Sequence, residues 1–197
     1  MDSRDITLKV ESFLQFHPNA SLSHAADRLG LSPQDIEQAL QASNGMQFQE
    51  FQQNLKLNEA FRQLGETRLM PMGSWEETRY HPRRIIPKTT VRYKVRSFWT
   101  PVRNFSIPYP LVDLSCGGLA LLSDVLPALR KHVSLLLKFP DRSDELRLQG
   151  RIVYAVATGI AGFRYRVGIQ FLPFADRRGC NHPEILETLE DAQKQGL

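Results

Sequence analysis

Over the first 64 residues the apolar positions recur at helical spacing, and from about residue 89 they recur at every second position. Ile6, Leu8, Val10, Phe13 and Leu14 form a loose stripe over 6–16, ended by His17-Pro18-Asn19. Ser21 offers an N-cap for a second helix whose buried face is small: Ala25, Ala26 and Leu29. Gly30 stops it. Ser32-Pro33 restarts the chain as a third helix with Ile36, Ala39 and Leu40 inward, ended by Asn44-Gly45. A fourth helix, about 48–64, carries Phe48, Phe51, Leu55, Phe61 and Leu64 on one side.

The second pattern begins with Thr89–Phe98, rich in β-branched and aromatic residues, with Arg92, Lys94 and Arg96 alternating on a wet face. Further strands are expected at about 102–113, 118–123, 132–139, 146–157 and 163–172. Ser123-Asp124, Pro140-Asp141 and Gly159 supply turns. Closely spaced antiparallel strands favour a closed barrel, which removes exposed edges. A helix from Pro183 to Lys194 follows, with Ile185, Leu186 and Leu189 apolar. Between the two patterns, Gly65, Pro71 and Gly73 argue against a long helix, and Trp75 is read as a packing anchor. The expectation is an α+β chain of two domains. An all-α domain spans 1–65, a linker 66–78, and a six-stranded antiparallel β-barrel with a C-terminal helix 79–197.

Composition changes this picture little; charge changes it more. The 197 residues are 42% hydrophobic and 23% charged, with eleven Phe and five Tyr to fill two cores. The net charge of +4 is unevenly spread. Residues 1–62 hold five Lys/Arg and eight Asp/Glu, whereas 63–197 hold twenty and thirteen. Between Glu77 and Asp113 stand eight basic residues and no acid. The amino terminus carries acids where a signal peptide has bases, and no run nears the ~18 apolar residues of a membrane span. A cytoplasmic protein with no membrane association is expected. Cys116 and Cys180 are far apart and read as free thiols, and His81, His132 and His182 lack ligand spacing, so no metal is expected. No nucleophile sits in a recognisable elbow, which argues against an enzyme.

Two patches carry candidate chemistry. In Arg79-Tyr80-His81-Pro82-Arg83, Pro82 biases His81 out of the helical region, so the arginines are splayed forks on a loop. Guanidinium forks grip phosphate and lie flat on a base. In Asp113-Leu114-Ser115-Cys116-Gly117-Gly118 a turn offers a carboxylate, a hydroxyl and bare backbone, which suit a base edge. Together the patches suit an anionic nucleotide.

RxxxR followed by DxSxxG resembles the PilZ domain, a small β-barrel that binds cyclic di-GMP. RYHPR at 79–83 and DLSCGG at 113–118 carry both halves, and Tyr165-Arg166-Val167-Gly168-Ile169-Gln170-Phe171 resembles the family's late strand. The resemblance spans about 79–192. It implies that Arg79 and Arg83 contact phosphate and guanine, that Asp113 and Ser115 hold a guanine edge, and that Gly118, beside Gly117, allows close approach. Arg84 is either a helper or a solvated charge at the strand edge. Cyclic di-GMP is thus the expected regulatory ligand. The alternative is a solvated basic face that binds nothing.

Helix, glycine turn and capped helix over residues 21–45 follow helix-turn-helix grammar. With the later G-x-x-F-x-x-F, this stretch resembles the first half of an AraC-type DNA-binding domain, over about 1–64; the second helix-turn-helix is absent. The expected recognition helix holds Asp35 and Glu37 but no Lys or Arg, giving up the phosphate term of DNA affinity, while Gln38 and Gln41 can still read adenine edges. Two roles stay open. The helical domain binds DNA and makes the protein a transcriptional regulator, or it docks on a protein or a second copy as an adaptor in motility, biofilm formation or polysaccharide secretion.

Overall fold

Serine caps set the helices of the amino-terminal part. In the computed structural model, which describes residues 2–67, 83–95 and 104–195, helix α1 (Ser3–Phe16) is followed by α2 (Leu22–Leu29), α3 (Pro33–Asn44) and α4 (Phe48–Thr67). Ser21 Oγ accepts from His24 N at 3.2 Å, and Gly30 closes α2 in the left-handed region at φ 65°. Ser32 and Asp35 form a reciprocal capping box at α3, with Pro33 in the first turn and Gly45 closing at φ 67°. Glu37 accepts from Phe48 N at 3.1 Å, so a side chain of α3 caps the start of α4. Helix α4 continues through Gly65 to Thr67, beyond the expected end at 64. A mid-helix glycine weakens a helix by only about 1 kcal/mol and does not by itself stop it.

The chain divides into two units, 1–62 and 63–197. In the first, Ile6, Val10, Leu14, Ile36, Leu40, Phe48 and Phe51 form one core with Ala25, Ala26 and Ala39. Exposed on α3 are Gln38 and Gln41.

The second unit is a closed antiparallel barrel of β1 (Thr90–Val95), β2 (Tyr109–Ser115), β3 (Gly118–Ser123), β4 (His132–Lys138), β5 (Glu145–Ala157) and β6 (Tyr165–Phe171), in the order β1-β2-β3-β6-β5-β4. Inside lie Val91, Leu111, Leu114, Leu119, Leu121, Leu135, Leu137, Leu148 and Ile152, each 1% exposed or less. Tyr93 and Tyr109 stack at 5.8 Å, and Phe163 meets Tyr109 edge-on. Helix α5 (Pro183–Gln195) packs on β2, with Leu189 and Ala192 buried. Buried Asn181 moors its start by bonding both backbone groups of Gln149 and the carbonyl of Leu172.

Two single-residue bulges interrupt the ladders. Leu111 pairs with Leu121 and Asp113 with Ala120, leaving Val112 as the extra residue of β2. Ile152 pairs with Ile169 and Tyr154 with Gly168, leaving Val153 as the extra residue of β5. Each bulge immediately precedes a polar side chain of the outer face. Among the described residues no helix is long and apolar enough to cross a membrane, and no group of His, Cys, Asp and Glu could hold a metal ion.

Candidate functional site

The arginine segment is fastened to β2 by backbone. Arg84 N donates to Leu114 O at 2.9 Å and Leu114 N donates to Arg84 O at 2.8 Å, a single antiparallel bridge outside the regular strands. This register sets Arg83 beside Asp113. Arg83 Nη1 donates to Asp113 Oδ1 at 2.8 Å. The other carboxylate oxygen is also taken: Arg166 Nη2 of β6 donates to Asp113 Oδ2 at 2.6 Å. Asp113 is therefore a nearly buried carboxylate (side chain 9% exposed) clasped between two guanidinium groups.

Tyr154 stands close enough to Arg83 to act on its charge. Partial burial disfavours the charged guanidinium. The Asp113 carboxylate and the Tyr154 hydroxyl outweigh that and hold Arg83 above its ordinary value. The Tyr154 ring occupies the space over Gly168, where a Cβ would lie 2.0 Å from a ring carbon. At Gly118 a Cβ would lie 2.3 Å from the carbonyl oxygen of Ile169, so only glycine fits this close approach of β3 to β6. Gly118, Ala120 and Gly168 share one face of the sheet, because Ala120 pairs with Gly168 and Gly118 with Gln170. The result is a buried floor of backbone and one methyl group, covered at Gly168 by the Tyr154 ring, on the face that also carries Asp113 and Arg166.

The turn after Asp113 has its own supports. Ser115 Oγ donates to Gly118 O at 3.1 Å, and Gly117 O accepts from Phe171 N at 3.0 Å. Gln193 of α5 donates to Leu114 O at 3.2 Å and accepts from the Cys116 thiol at 3.6 Å. Burial, with the charge of Glu190, pushes the Cys116 thiol up. A groove of about 540 Å³ opens beside the turn, lined by Cys116, Gly117, His132, Arg151, Gln170 and Phe174 among others.

Of the residues singled out in the sequence, Arg83, Arg84, Asp113, Ser115, Gly117 and Gly118 come together here, whereas Arg79 and Trp75 lie outside the described residues. Arg84 is fixed by its backbone. Sequence reasoning missed Tyr154 and Arg166. The signal for Tyr154 was Gly168, since a glycine inside a strand marks close approach of another group.

Several solved structures resemble the chain. Bacillus subtilis inhibitor of motility (MotI/DgrA) is 12% identical over 63% of this chain and 56% of its own, with a TM-score of 0.43. Escherichia coli YcgR in complex with c-di-GMP is 14% identical over 58% and 43%, also at 0.43. The K. pneumonia MrkH–c-di-GMP complex is 15% identical over 58% and 50%, again at 0.43. The chain spans about half the length of these proteins. No curated protein matches its sequence. The model of the PilZ domain matches residues 77–181, a stretch that holds both motifs, the clasped carboxylate and all six strands. More than half of the chain is thus accounted for by one domain, and the chain belongs to the PilZ family.

Proposed function

We propose that this protein is a cyclic di-GMP receptor whose nucleotide site is built on Arg79, Arg83, Arg84, Asp113, Ser115, Gly117 and Gly118. The observation that carries the reading is the contact of Arg83 with Asp113 at 2.8 Å, which joins the two motifs at one place on the barrel. The family is one of non-enzymatic receptors. Charge-assisted contacts of Arg79 and Arg83 with phosphate contribute about 1.5–3 kcal/mol each. Two or three such contacts with base stacking reach the roughly 8 kcal/mol of a micromolar site. Calorimetry with cyclic di-GMP tests it: wild type gives saturable heat and Arg83→Ala little or none. Equal heats in the two proteins reject this site.

The domain division proposed is 1–65, 66–78 and 79–197. The segment leaving the helical domain runs directly into Arg79, so a ligand held by the arginines restrains it as well. The helical domain is proposed to be the output, a half AraC-type helix-turn-helix that regulates transcription. Exposed Gln38 and Gln41 on α3 support this reading, as does the employment of Asp35 and Glu37 as helix caps. The second reading is an adaptor that docks on a protein in motility or polysaccharide export. It is favoured by the lack of any Lys or Arg on α3. Gel shifts at several salt concentrations separate the two, since an adaptor shifts no DNA even at low salt.

A further inference from the structure

The clasp around Asp113 holds more cation than an ion pair needs. Two guanidinium groups face one carboxylate, at 2.8 and 2.6 Å, so the cluster keeps one positive charge in surplus. Arg83 belongs to the motif; Arg166 stands on another strand, on the opposite side of the carboxylate. Arg83 is tied to Asp113 through Nη1. Arg166 Nε is buried and finds no acceptor among the described residues, so its carboxylate contact is its principal tie.

Consider a phosphate approaching Arg83. If Arg83 were the sole counter-ion of Asp113, the pair would be neutral, and the incoming anion would meet a carboxylate that is 9% exposed and poorly screened. With Arg166 in place, Asp113 remains neutralised from its far side and Arg83 can offer its charge to the ligand. We infer that Arg166 is a positioning residue of the nucleotide site, the standing counter-ion of Asp113 that frees Arg83 for the phosphate of an anionic nucleotide. This rests on the receptor reading above and deepens it. It assigns Arg166 to the carboxylate and not to the ligand. Its effect therefore depends on the charge at position 113, and a lysine can replace it.

The test is calorimetry with cyclic di-GMP on the full chain, over four variants and wild type. Arg166→Gln binds about tenfold more weakly, because Arg83 is left as the only partner of a buried carboxylate. Arg166→Lys stays within about threefold of wild type, because a point charge is enough for the task. Whatever Asp113→Asn itself costs in affinity, in that background Arg166→Gln costs less than about threefold further, since no carboxylate remains to be neutralised. Thermal melts of the same variants check that each is folded. A Lys variant as weak as the Gln variant overturns the inference by making Arg166 a direct fork on the ligand. So does an equal loss from Arg166→Gln with Asp or Asn at 113. No heat from wild type rejects instead the receptor reading itself.

Discussion

Arg84 and Leu114 exchange two backbone hydrogen bonds, and this one bridge brings a loop motif to a strand motif thirty residues away. It fixes where Arg83 stands before any side chain is considered. Replacing Arg84 by Pro removes the donor to Leu114 O. Gln193 still donates to that carbonyl, so the expected loss of stability is modest, about 1–2 kcal/mol by thermal or urea melts. The expected loss of nucleotide affinity is larger, because Arg83 is no longer held beside Asp113. Arg84→Ala keeps the backbone bond and, because this half-buried side chain is a helper to the motif arginines, gives only a small loss, about threefold or less. Equal losses of affinity in the two variants would show that the side chain matters and the bridge does not.

The two floor glycines differ in what a methyl group would strike. At Gly118 it meets the backbone of Ile169, so Gly118→Ala must shift β3 against β6 and is expected to destabilise by about 1–3 kcal/mol. At Gly168 it meets the ring of Tyr154, which can swing away. Gly168→Ala is therefore expected to affect Arg83 and ligand affinity more than stability. Combined with Tyr154→Ala it is expected to add nothing further, a coupling readable in a double-mutant cycle. Additive losses in that cycle would mean that ring and methyl group do not compete.

Tyr109 gives the barrel an alkaline limit. Burial, aided by the charges of Tyr93 and Asp124 and opposed by a hydrogen bond with Ser123, pushes its phenol up to about 12 from 10.0. The neutral form is thus favoured in the folded state. Its contribution is complete below pH 10 and is lost as pH rises through 10 towards 12, at most roughly 2–3 kcal/mol. Stability measured against pH should fall in that window, and Tyr109→Phe should flatten the fall. An unchanged slope in Tyr109→Phe would assign the alkaline loss to other groups.

Glu37 separates two functions of one acid. Glu37→Ala strips the cap from α4 and is expected to cost about 1 kcal/mol of stability. Glu37→Gln keeps a carbonyl acceptor for Phe48 N and removes the charge, so stability should change little. If the helical domain binds DNA, the Gln variant should bind more tightly at low salt, where phosphate repulsion is least screened. Gel shifts on both variants decide it.

Much of the architecture was legible because caps and alternation are local. Ser21, Gly30, Ser32-Pro33 and Gly45 marked helix ends that the structure places at the same residues. Strands β3 to β6 fall within two residues of their expected limits. Strand β2 begins at Tyr109 and not at 102. The site was legible as two motifs but not as a constellation. Simple alternation puts Leu111 and Asp113 on the same face, and likewise Ile152 and Tyr154. The bulges at Val112 and Val153 send the second member of each pair to the opposite side. A bulge is decided by how two strands meet, and nothing local announces it. Arg166 was hidden for a similar reason, since its tie to Asp113 crosses from β6 to β2 over the intervening strand β3.

The bulge at Val112 also gives β2 slack in its length. A chain without that valine would bring Asp113 directly after Leu111 and still opposite Ala120, with the ladder drawn tight and the carboxylate keeping its heading. Loss of one residue at this point leaves the inner and outer sides of the strand where they are, so the recognition turn can be remodelled without turning the barrel inside out.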